Sequence, residues 1–580
     1  MNMGLRWDAL LPRLSPLSLA TVFFVLALAS FSWRLGEGPI YRTMEGREAL
    51  VMQEIATTGN WILPLRNGET IPSKPPFLHW CGVVVAYLTD SLSEWSIRFP
   101  NALFSALSIA LTCLLGCRLA SREVGILASL FLFTTPAVVE LSREAWVDPA
   151  LSFFVLMALT CFVFMYENEQ WRSWQIWVFY CALAGAALSK GPVGYLLPLI
   201  VIAAYLAIQR QLAQLRSLVF FPGIIIALGI PLAWYLCAFL LQGWSFVYKQ
   251  IWQENLVRFT AGSGKRIPSA SFFFLPFIVE GFPWSLLFFL GLWQLSQHAP
   301  VREKGVFPLV WLFSMAIFFS VAAGKRSIYL LPAYPAMALF AAEWGWSAVP
   351  VQSPPLAPLF RSTVRFFILA TSVLCLLGAL LAATGTLTVD TAWLDRLPGH
   401  QDKWSHVALY IRFFSDLPRY GVAVFSLFWA ILIWSVFVGS AGRWRSALCG
   451  LLSALLVSTI AMYPFTRAYS KEFKAYTGFA TAISNTVPAN ESFHFYTPLP
   501  YSSEFDEFSQ VYFYLARHVP LASCAEQPNF SRCEPGYYLV RFRHWQKIQT
   551  TDNAYVVLDS QTSAGPDAEA RLLVVYRRPH

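Results

Sequence analysis

Long apolar runs dominate this chain of 580 residues. Most are about 17 to 22 residues long, which is the length that an α-helix needs to cross roughly 30 Å of hydrocarbon. Charged residues make up only 13% of the chain, whereas a soluble domain carries about 25%. Since backbone polar groups in a bilayer need internal hydrogen bonds, the runs predict membrane-spanning helices and exclude an ordinary soluble protein.

Thirteen runs are long enough to span a membrane, and a shorter one at 76–88 is predicted to lie in the interface or to re-enter the membrane. The first run follows Arg6 and Arg13 and lacks a small-residue cleavage site, so it is predicted to be a signal anchor rather than a cleaved signal. The predicted spans are residues 14–33, 98–117, 123–141, 149–166, 174–189, 192–208, 218–241, 271–295, 306–323, 328–347, 364–384, 420–440 and 447–464.

The basic residues between these runs set the predicted orientation. With 13 spans and a cytoplasmic N-terminus, most of the basic loops fall on the cytoplasmic side, as the positive-inside rule requires. With an odd number of spans, the C-terminus is therefore predicted to lie on the outer side of the membrane. The basic residues concerned are Arg118, Arg122, Arg172, Arg210, Arg216, Arg302, Lys304, Arg361, Arg365, Arg443 and Arg445.

Two domains are predicted. Residues 1–464 form a transmembrane domain whose first loop, 34–97, carries periplasmic interfacial helices, and residues 465–580 form a small periplasmic α/β domain. Short alternating segments in the tail predict its strands. Cys524 and Cys533 lie in this tail and are predicted to form a disulfide in an oxidising compartment, the alternative being two free thiols. The fold class is mainly α.

The net charge of +9 is explained by cytoplasmic Lys and Arg residues, so no nucleic-acid partner is predicted. The chain contains no glycine-rich phosphate loop, and no nucleotide cofactor is predicted.

Ionisable residues cluster in the predicted outward loops, several of them at the ends of apolar runs. An ionisable group in such a place costs free energy unless it is paired or functional. Several Lys and Arg residues beside a few carboxylates are typical of a site that holds a phosphate while a carboxylate accepts a proton. The residues are Glu45, Arg47, Glu48, Lys74, Arg143, Glu144, Asp148, Lys190, Glu254, Arg258, Lys265, Arg266, Lys325 and Arg326, followed by Tyr329.

Each residue also has a structural interpretation. Lys190, Lys325 and Arg326 could extend to the membrane interface, and Asp148 could cap the helix that starts at Pro149. Arg258 could pair with the carboxylate four residues earlier. All of these residues are predicted to lie on the same side of the membrane, which argues that they serve one function together.

Nine stretches, in order from residue 45 to residue 332, resemble the GT-C superfamily of lipid-phosphosugar glycosyltransferases, close to the bacterial aminoarabinose lipid A transferases and the protein mannosyltransferases. They are Glu45-Gly-Arg-Glu-Ala, Thr58-Gly-Asn-Trp-Ile-Leu-Pro with Asn67-Gly, Ser73-Lys-Pro-Pro-Phe-Leu-His-Trp, Ile97-Arg-Phe-Pro-Asn-Ala, residues 143–148, Leu188-Ser-Lys-Gly-Pro, Glu254-Asn-Leu-Val-Arg-Phe, Phe282-Pro-Trp-Ser and Lys325-Arg-Ser-Ile-Tyr-Leu-Leu-Pro.

The resemblance implies transfer of a sugar, with inversion, from a polyprenyl phosphate to a lipid, glycan or protein acceptor on the periplasmic face. It implies that Glu45 is the base, with Glu48 as the alternative, and that Asp148 positions the acceptor. The donor phosphate would be bound by Lys74, Arg143, Lys190, Lys325, Arg326 and Tyr329, and further substrate contacts would come from Arg47, Arg258, Lys265 and Arg266.

The chain departs from the family pattern at two places. Met44 occupies the position of the expected catalytic Asp, which leaves Glu45, or Glu48, for that role. Ser73 and Lys265 stand where the aminoarabinose transferases carry Glu and His. No equivalent metal site is therefore predicted, a divalent ion being the open alternative.

Two other functions compete with a transferase. A transporter or flippase of a lipid-linked anion would also need basic residues, but it is expected to carry polar groups near mid-membrane and repeated halves. A scaffold that binds through its tail would leave the outward charges unexplained.

Overall fold

The computed structural model describes residues 14–68, 71–171, 173–261, 270–297, 305–348, 476–498, 505–522, 524, 530–548, 553–560 and 571–578. The chain forms two compact units, each described separately below. The helical unit comprises Met1–Leu35, Glu54–Leu65 and Ile71–Val351, and the C-terminal unit comprises Gly36–Gln53, Arg66–Thr70 and Gln352–His580. The domain boundary predicted at residues 464/465 lies outside the described residues.

The described part before residue 349 is mainly helical, as predicted. Its α-helices are α1 (Pro16–Ser32), α2 (Thr43–Thr58), α3 (Phe77–Leu88), α4 (Glu94–Leu119), α5 (Arg122–Phe133), α6 (Pro136–Leu141), α7 (Val147–Asn168), α8 (Trp174–Lys190), α9 (Val193–Ile208), α10 (Phe221–Gln242), α11 (Trp244–Val247), α12 (Arg258–Thr260), α13 (Phe274–Glu280), α14 (Trp284–Gln297), α15 (Val306–Val321) and α16 (Tyr334–Ala348). A π-helical segment covers Tyr248–Val257, and 3-10 turns cover Leu212–Leu218, Ala270–Phe273 and Ser327–Ala333.

Within the described residues, α4, α7 and α10 are each long and apolar enough to cross a membrane. The predicted spans 364–384, 420–440 and 447–464 lie outside the described residues, and the count of 13 stays a prediction. The run at 76–88 is the 12-residue helix α3, which is short for a span.

Two predicted spans each divide into two α-helices. The run 123–141 divides into α5 and α6, because Thr135 is extended and Pro136 starts α6 without a backbone N–H group. The run 271–295 divides into α13 and α14 at Gly281-Phe282-Pro283. Apolar periodicity alone does not reveal such breaks, since it persists through a proline that begins a new helix.

Close helix packing builds the core of the helical unit. A Cβ atom on Gly116 of α4 would lie 2.7 Å from Gly125 Cα of α5, so both glycines allow the two backbones to approach. Trp284 is fully buried, stacks 3.9 Å from the Phe131 ring and donates a 2.9 Å hydrogen bond to Thr134 Oγ1. The stacked rings therefore join α14 to α5.

The C-terminal unit contains a four-stranded mixed sheet. Its strands β1 (Phe493–Tyr496), β2 (Gly536–Arg541), β3 (Ala554–Asp559) and β4 (Leu572–Arg577) lie in the order β1-β2-β4-β3. β1 and β2 are parallel, and the other pairs are antiparallel. The helices are α17 (Thr477–Thr486), α18 (Ser509–Leu515) and α19 (Phe542–Trp545), with 3-10 turns at Phe505–Phe508 and Phe530–Arg532.

One face of this sheet packs on an apolar cluster that includes Tyr496, Tyr538 and Val575. The disulfide between Cys524 and Cys533 lies in the same cluster, with the two Cα atoms 5.1 Å apart. The strands agree closely with the alternating segments in the sequence.

Residues of the predicted first loop belong to the C-terminal unit. Arg66 pairs with Asp506 at 3.1 Å, and the Asn67 amide exchanges two hydrogen bonds with the Val519 backbone. A Cβ atom on Gly46 would lie 2.7 Å from the backbone nitrogen of Gln510. These contacts explain why 36–53 and 66–70 are grouped with the tail, although the sequence assigned them to the transmembrane domain.

Gly46→Ala is expected to lower the free energy of unfolding of the C-terminal unit by about 1–3 kcal/mol, because the added methyl group overlaps backbone atoms. Gly478→Ala is the matched control, since a Cβ atom on this helical glycine meets nothing within 4 Å. Thermal unfolding of the full chain in detergent measures both. Equal unfolding temperatures for the two variants would contradict the close packing at Gly46.

Candidate active site

The candidate site in the helical unit is built first around Lys74. Its loop, residues 71–76, precedes α3, and Pro75 and Pro76 keep it out of that helix. Gln250 is almost fully buried, and its side-chain amide donates a hydrogen bond to the Pro72 carbonyl. The loop is thus attached to the π-helical segment 248–257.

The π-helical segment supplies the carboxylate that meets Lys74. Lys74 Nζ lies 3.2 Å from Glu254 Oε2, and the same oxygen accepts a hydrogen bond from Arg258 Nη1. The side chains of Lys74 and Glu254 are 16% and 12% exposed. One carboxylate oxygen therefore bridges two cations that are 184 residues apart in sequence.

A second ion pair joins α7 and α8. Lys190 Nζ at the end of α8 lies 2.5 Å from Asp148 Oδ1 in the first turn of α7, and Asp148 is 2% exposed. Lys190 Nζ also lies 4.2 Å from the centre of the Tyr329 ring, within the range of a cation–π interaction. Trp146, not Asp148, is the N-cap residue of α7, so the carboxylate serves the ion pair.

The loop before Tyr329 is hydrogen-bonded to the Arg258 region. Gly324 N donates to the Arg258 carbonyl at 3.0 Å and Ala323 N donates to the Phe259 carbonyl at 2.8 Å. A Cβ atom on Gly324 would lie 2.7 Å from the Arg258 carbonyl oxygen, so only glycine permits this approach. Lys325 Nζ donates to the Ala322 carbonyl at 2.7 Å.

The charges in this cluster affect one another. Burial lowers the pKa of Lys74 to about 8, Glu254 opposes that shift, and the charges of Arg258 and Lys190 add to it. Burial acts to raise the pKa of Glu254, but Lys74, Arg258 and Lys249 outweigh it and lower this pKa below its ordinary value. Near pH 7 both Lys74 and Glu254 are therefore charged.

Arg143, which is predicted to bind the donor phosphate, lies against the end of α1. It is 5% exposed, and its guanidinium donates to the carbonyls of Phe31 at 2.7 Å and Ser30 at 3.3 Å and to the Trp33 carbonyl at 2.9 Å. These carbonyls end α1 and have no partner within the helix. The placement favours a helix-capping role for Arg143.

The 143–148 segment is held by a neighbouring motif. Asn101 Nδ2 donates to the carbonyls of Glu144 at 2.5 Å and Trp146 at 2.8 Å. Glu144 Oε2 accepts a 2.9 Å hydrogen bond from Trp146 Nε1. Asn101 therefore fixes the backbone segment that precedes Asp148.

Glu45, the predicted base, lies in the C-terminal unit. It occupies the first turn of α2 and is fully buried, whereas Glu48, one turn later, is half-buried. Arg47 makes a 3.4 Å hydrogen bond to the Asp506 carbonyl and lies 3.9 Å from its carboxylate. This contact ties Arg47 to the tail.

Of the remaining predicted residues, Arg326 is half-buried, and Lys265 and Arg266 lie outside the described residues. Within the described ranges, no group of three or more His, Cys, Asp and Glu side chains could hold a metal ion. The chemistry available to the helical-unit cluster is anion binding by Lys74, Arg258 and Lys190, the last of which lies over the Tyr329 ring.

Residues 58–247 match the family model of dolichyl-phosphate-mannose-protein mannosyltransferase. The undecaprenyl phosphate-alpha-4-amino-4-deoxy-L-arabinose arabinosyl transferase 1 of Pseudomonas fluorescens is 32% identical over 328 residues, which cover 55% of this chain and 56% of the relative. The arabinosyl transferase of the same description from Erwinia tasmaniensis is 24% identical over 455 residues, 77% of this chain and 76% of the relative.

The fold has a counterpart among solved structures. The crystal structure of ArnT from Cupriavidus metallidurans bound to undecaprenyl phosphate superposes with a TM-score of 0.71 and 18% identity, covering 96% of this chain and 97% of that chain. The chain resembles GT-C glycosyltransferases of the aminoarabinose transferase type. This confirms the predicted resemblance to that class of glycosyltransferases. The match to the P. fluorescens relative spans little more than half of that protein.

The sequence predicted one contact of Glu254 and missed another. The spacing of Glu254 and Arg258 correctly indicated their i,i+4 pair. The contact with Lys74, 180 residues earlier, has no local signature.

Arg143→Ala is expected to lower the free energy of unfolding by about 2–4 kcal/mol, because charged hydrogen bonds to the α1 carbonyls disappear. Arg118→Ala is the control, since Arg118 is 34% exposed in its pair with Glu167 and such pairs contribute about 1 kcal/mol or less. Thermal unfolding in detergent compares them. An unchanged unfolding temperature for Arg143→Ala would argue against the capping role.

Proposed function

We propose that this protein transfers a sugar from a polyprenyl phosphate, such as undecaprenyl phosphate, to a lipid, glycan or protein acceptor on the periplasmic face of a bacterial inner membrane. The observation that carries the proposal is the convergence of Lys74, Arg258 and Lys190 beside Tyr329 in the helical unit. Two of the relatives described above are named for a sugar carried on undecaprenyl phosphate, which supports this class of donor.

The cations fit the chemistry of a leaving phosphate. When the bond between the sugar C1 atom and the phosphate oxygen breaks, negative charge increases on that oxygen, and cations fixed in place stabilise it. Lys74 and Arg258 would bind the phosphate, and Lys190 would be positioned by Asp148 while Tyr329 donates a hydrogen bond nearby. Lys325 and Arg326 complete the proposed donor site.

Glu45 is the proposed base. It would accept the proton of an acceptor hydroxyl or amine as the acceptor oxygen or nitrogen attacks the sugar C1 atom from the side opposite the phosphate, which inverts C1. Burial of Glu45 supports this role, because a carboxylate shielded from bulk water interacts more strongly with a bound acceptor. Glu48, which is more exposed, is the other candidate.

The proposed topology has 13 spans, a cytoplasmic N-terminus and a periplasmic C-terminal domain. The disulfide in the tail supports a periplasmic location, because disulfides persist in oxidising compartments. The lipid tail of the donor would lie among the apolar helices.

Glu45→Gln is expected to reduce sugar transfer at least about 100-fold, since the amide cannot accept the proton. Cells that express wild-type protein, Glu45→Gln, Glu48→Gln or no protein are compared at equal protein levels by mass spectrometry of envelope lipids, glycans and glycoproteins. Glu48→Gln should retain the sugar mass that the deletion strain lacks.

Each other outcome of this comparison is informative. Loss of transfer in Glu48→Gln alone would assign the base to Glu48. If deletion of an expressed protein changes no glycan mass, the transferase proposal fails, and transport of a lipid-linked anion becomes the better explanation.

Donor use is expected to depend on the proton of Lys74. With a pKa of about 8, Lys74 is charged below pH 8 and loses its charge as pH rises, so kcat/KM for the donor should decline above about pH 8. Lys74→Arg should move this decline to higher pH, because arginine stays protonated to about pH 12. A pH profile with the same alkaline decline in both proteins would show that another group titrates there.

A further inference from the structure

The carboxylate of Glu254 occupies the place between the two cations that would bind the donor phosphate. Its Oε2 atom contacts both Lys74 Nζ, at 3.2 Å, and Arg258 Nη1. We propose that Glu254 is an internal counter-anion that makes the site bind the singly charged donor in preference to the doubly charged polyprenyl phosphate product. The inference rests on the proposed function and names a residue that sets its substrate preference.

Glu254 is held firmly in this place. The Arg258 contact is an i,i+4 pair along the same segment, and the Gln250 amide donates to the Pro72 carbonyl and so holds the Lys74 loop against it. Asn255 Nδ2 donates to the Gln250 carbonyl at 2.5 Å. The carboxylate is therefore part of the prepared site and not a mobile surface charge.

Charges from several described elements face the pair. Lys249 and Arg258 come from the same helical stretch, and Lys190 comes from the end of α8. Asp148 neutralises Lys190, which leaves Glu254 as the carboxylate in contact with Lys74 and Arg258. A phosphate that binds these two cations must therefore approach the negative charge of Glu254.

Glu254 affects the two lipids unequally. A sugar–phosphate–polyprenyl donor is a phosphodiester with one negative charge, whereas the polyprenyl phosphate product is a monoester with about −1.5 to −2 charge near neutral pH. Repulsion by a fixed carboxylate scales with that charge. Glu254 thus weakens binding of the product more than binding of the donor and favours product release after transfer.

The carboxylate also keeps the site ready for the donor. Its charge opposes the burial and the neighbouring cations that lower the pKa of Lys74. Glu254 therefore maintains the Lys74 charge while the site is empty, and a bound phosphate, which is also an anion, takes over that effect. Once phosphate is bound, Glu254 acts only to limit how tightly a dianion is held.

The test measures the affinities of two lipid probes for the purified full-length protein in nanodiscs at pH 6.5, where Lys74 is protonated. The probes are undecaprenyl phosphate, which represents the product, and its monomethyl ester, which has one charge as the donor does. Titration calorimetry gives Kd for each probe, and the ratio of the two values is the readout. The proteins are the wild type, Glu254→Gln, Arg258→Gln, the double variant and Glu167→Gln.

Glu254→Gln is expected to tighten binding of undecaprenyl phosphate about tenfold and that of the monomethyl ester about threefold, which changes their ratio about threefold. Arg258→Gln should weaken binding of undecaprenyl phosphate, and the double variant should bind it with an affinity closer to that of the wild type. Glu167→Gln is the matched control, because Glu167 pairs with Arg118 at the opposite end of α7 from Asp148. It should leave both affinities unchanged.

The counter-anion role is overturned if Glu254→Gln weakens both probes, which is the result expected of a purely structural support, or leaves their ratio unchanged. If Glu254→Gln does not fold, Glu254→Asp decides: its retained charge should keep the ratio within about twofold of the wild type, and a larger change overturns the proposal. If the wild-type protein binds neither lipid, the proposed function itself fails.

Discussion

A charged side chain in an apolar protein is stable only when its charge is compensated, and Glu254 provides that compensation for two cations. Removing one partner of such a pair leaves an uncompensated charge, which is more costly than leaving both in water. Lys74, Glu254 and Arg258 therefore depend on one another, and their properties are those of a group rather than of separate residues. The same requirement explains why Asp148 faces Lys190.

Helix packing brings these pairs together. α7 and α8 are packed so closely that a Cβ atom on Gly185 would overlap the Phe154 ring, and this packing places Asp148 and Lys190 at adjoining helix ends. The proline-rich loop supplies Lys74 without an intervening helix, and the glycine at 324 lets the next loop approach the Arg258 backbone. Small residues and prolines therefore position the cations, although they carry no charge.

Much of the fold could be predicted because its signals are local. Apolar runs gave the positions of α4, α7 and α10, and alternating residues gave the four strands of the tail. Helix breaks were missed where Pro136 and Gly281 interrupt runs that remain apolar on both sides. Grouping residues 36–53 and 66–70 of the first loop with the tail depends on contacts such as Arg66 with Asp506, which no local pattern records.

The candidate site likewise combines features that local sequence predicts with contacts that it does not predict. The sequence by itself determined that the chain is a multi-helix membrane protein and which charges interrupt its apolar runs, because hydropathy and helix formation act over about 20 neighbouring residues. Only the tertiary structure decided that Arg143 caps α1, whereas Lys74 meets Glu254 and Arg258. Ion pairs act over a few ångströms in space, and which side chains come that close is set by the packing of segments far apart in the chain.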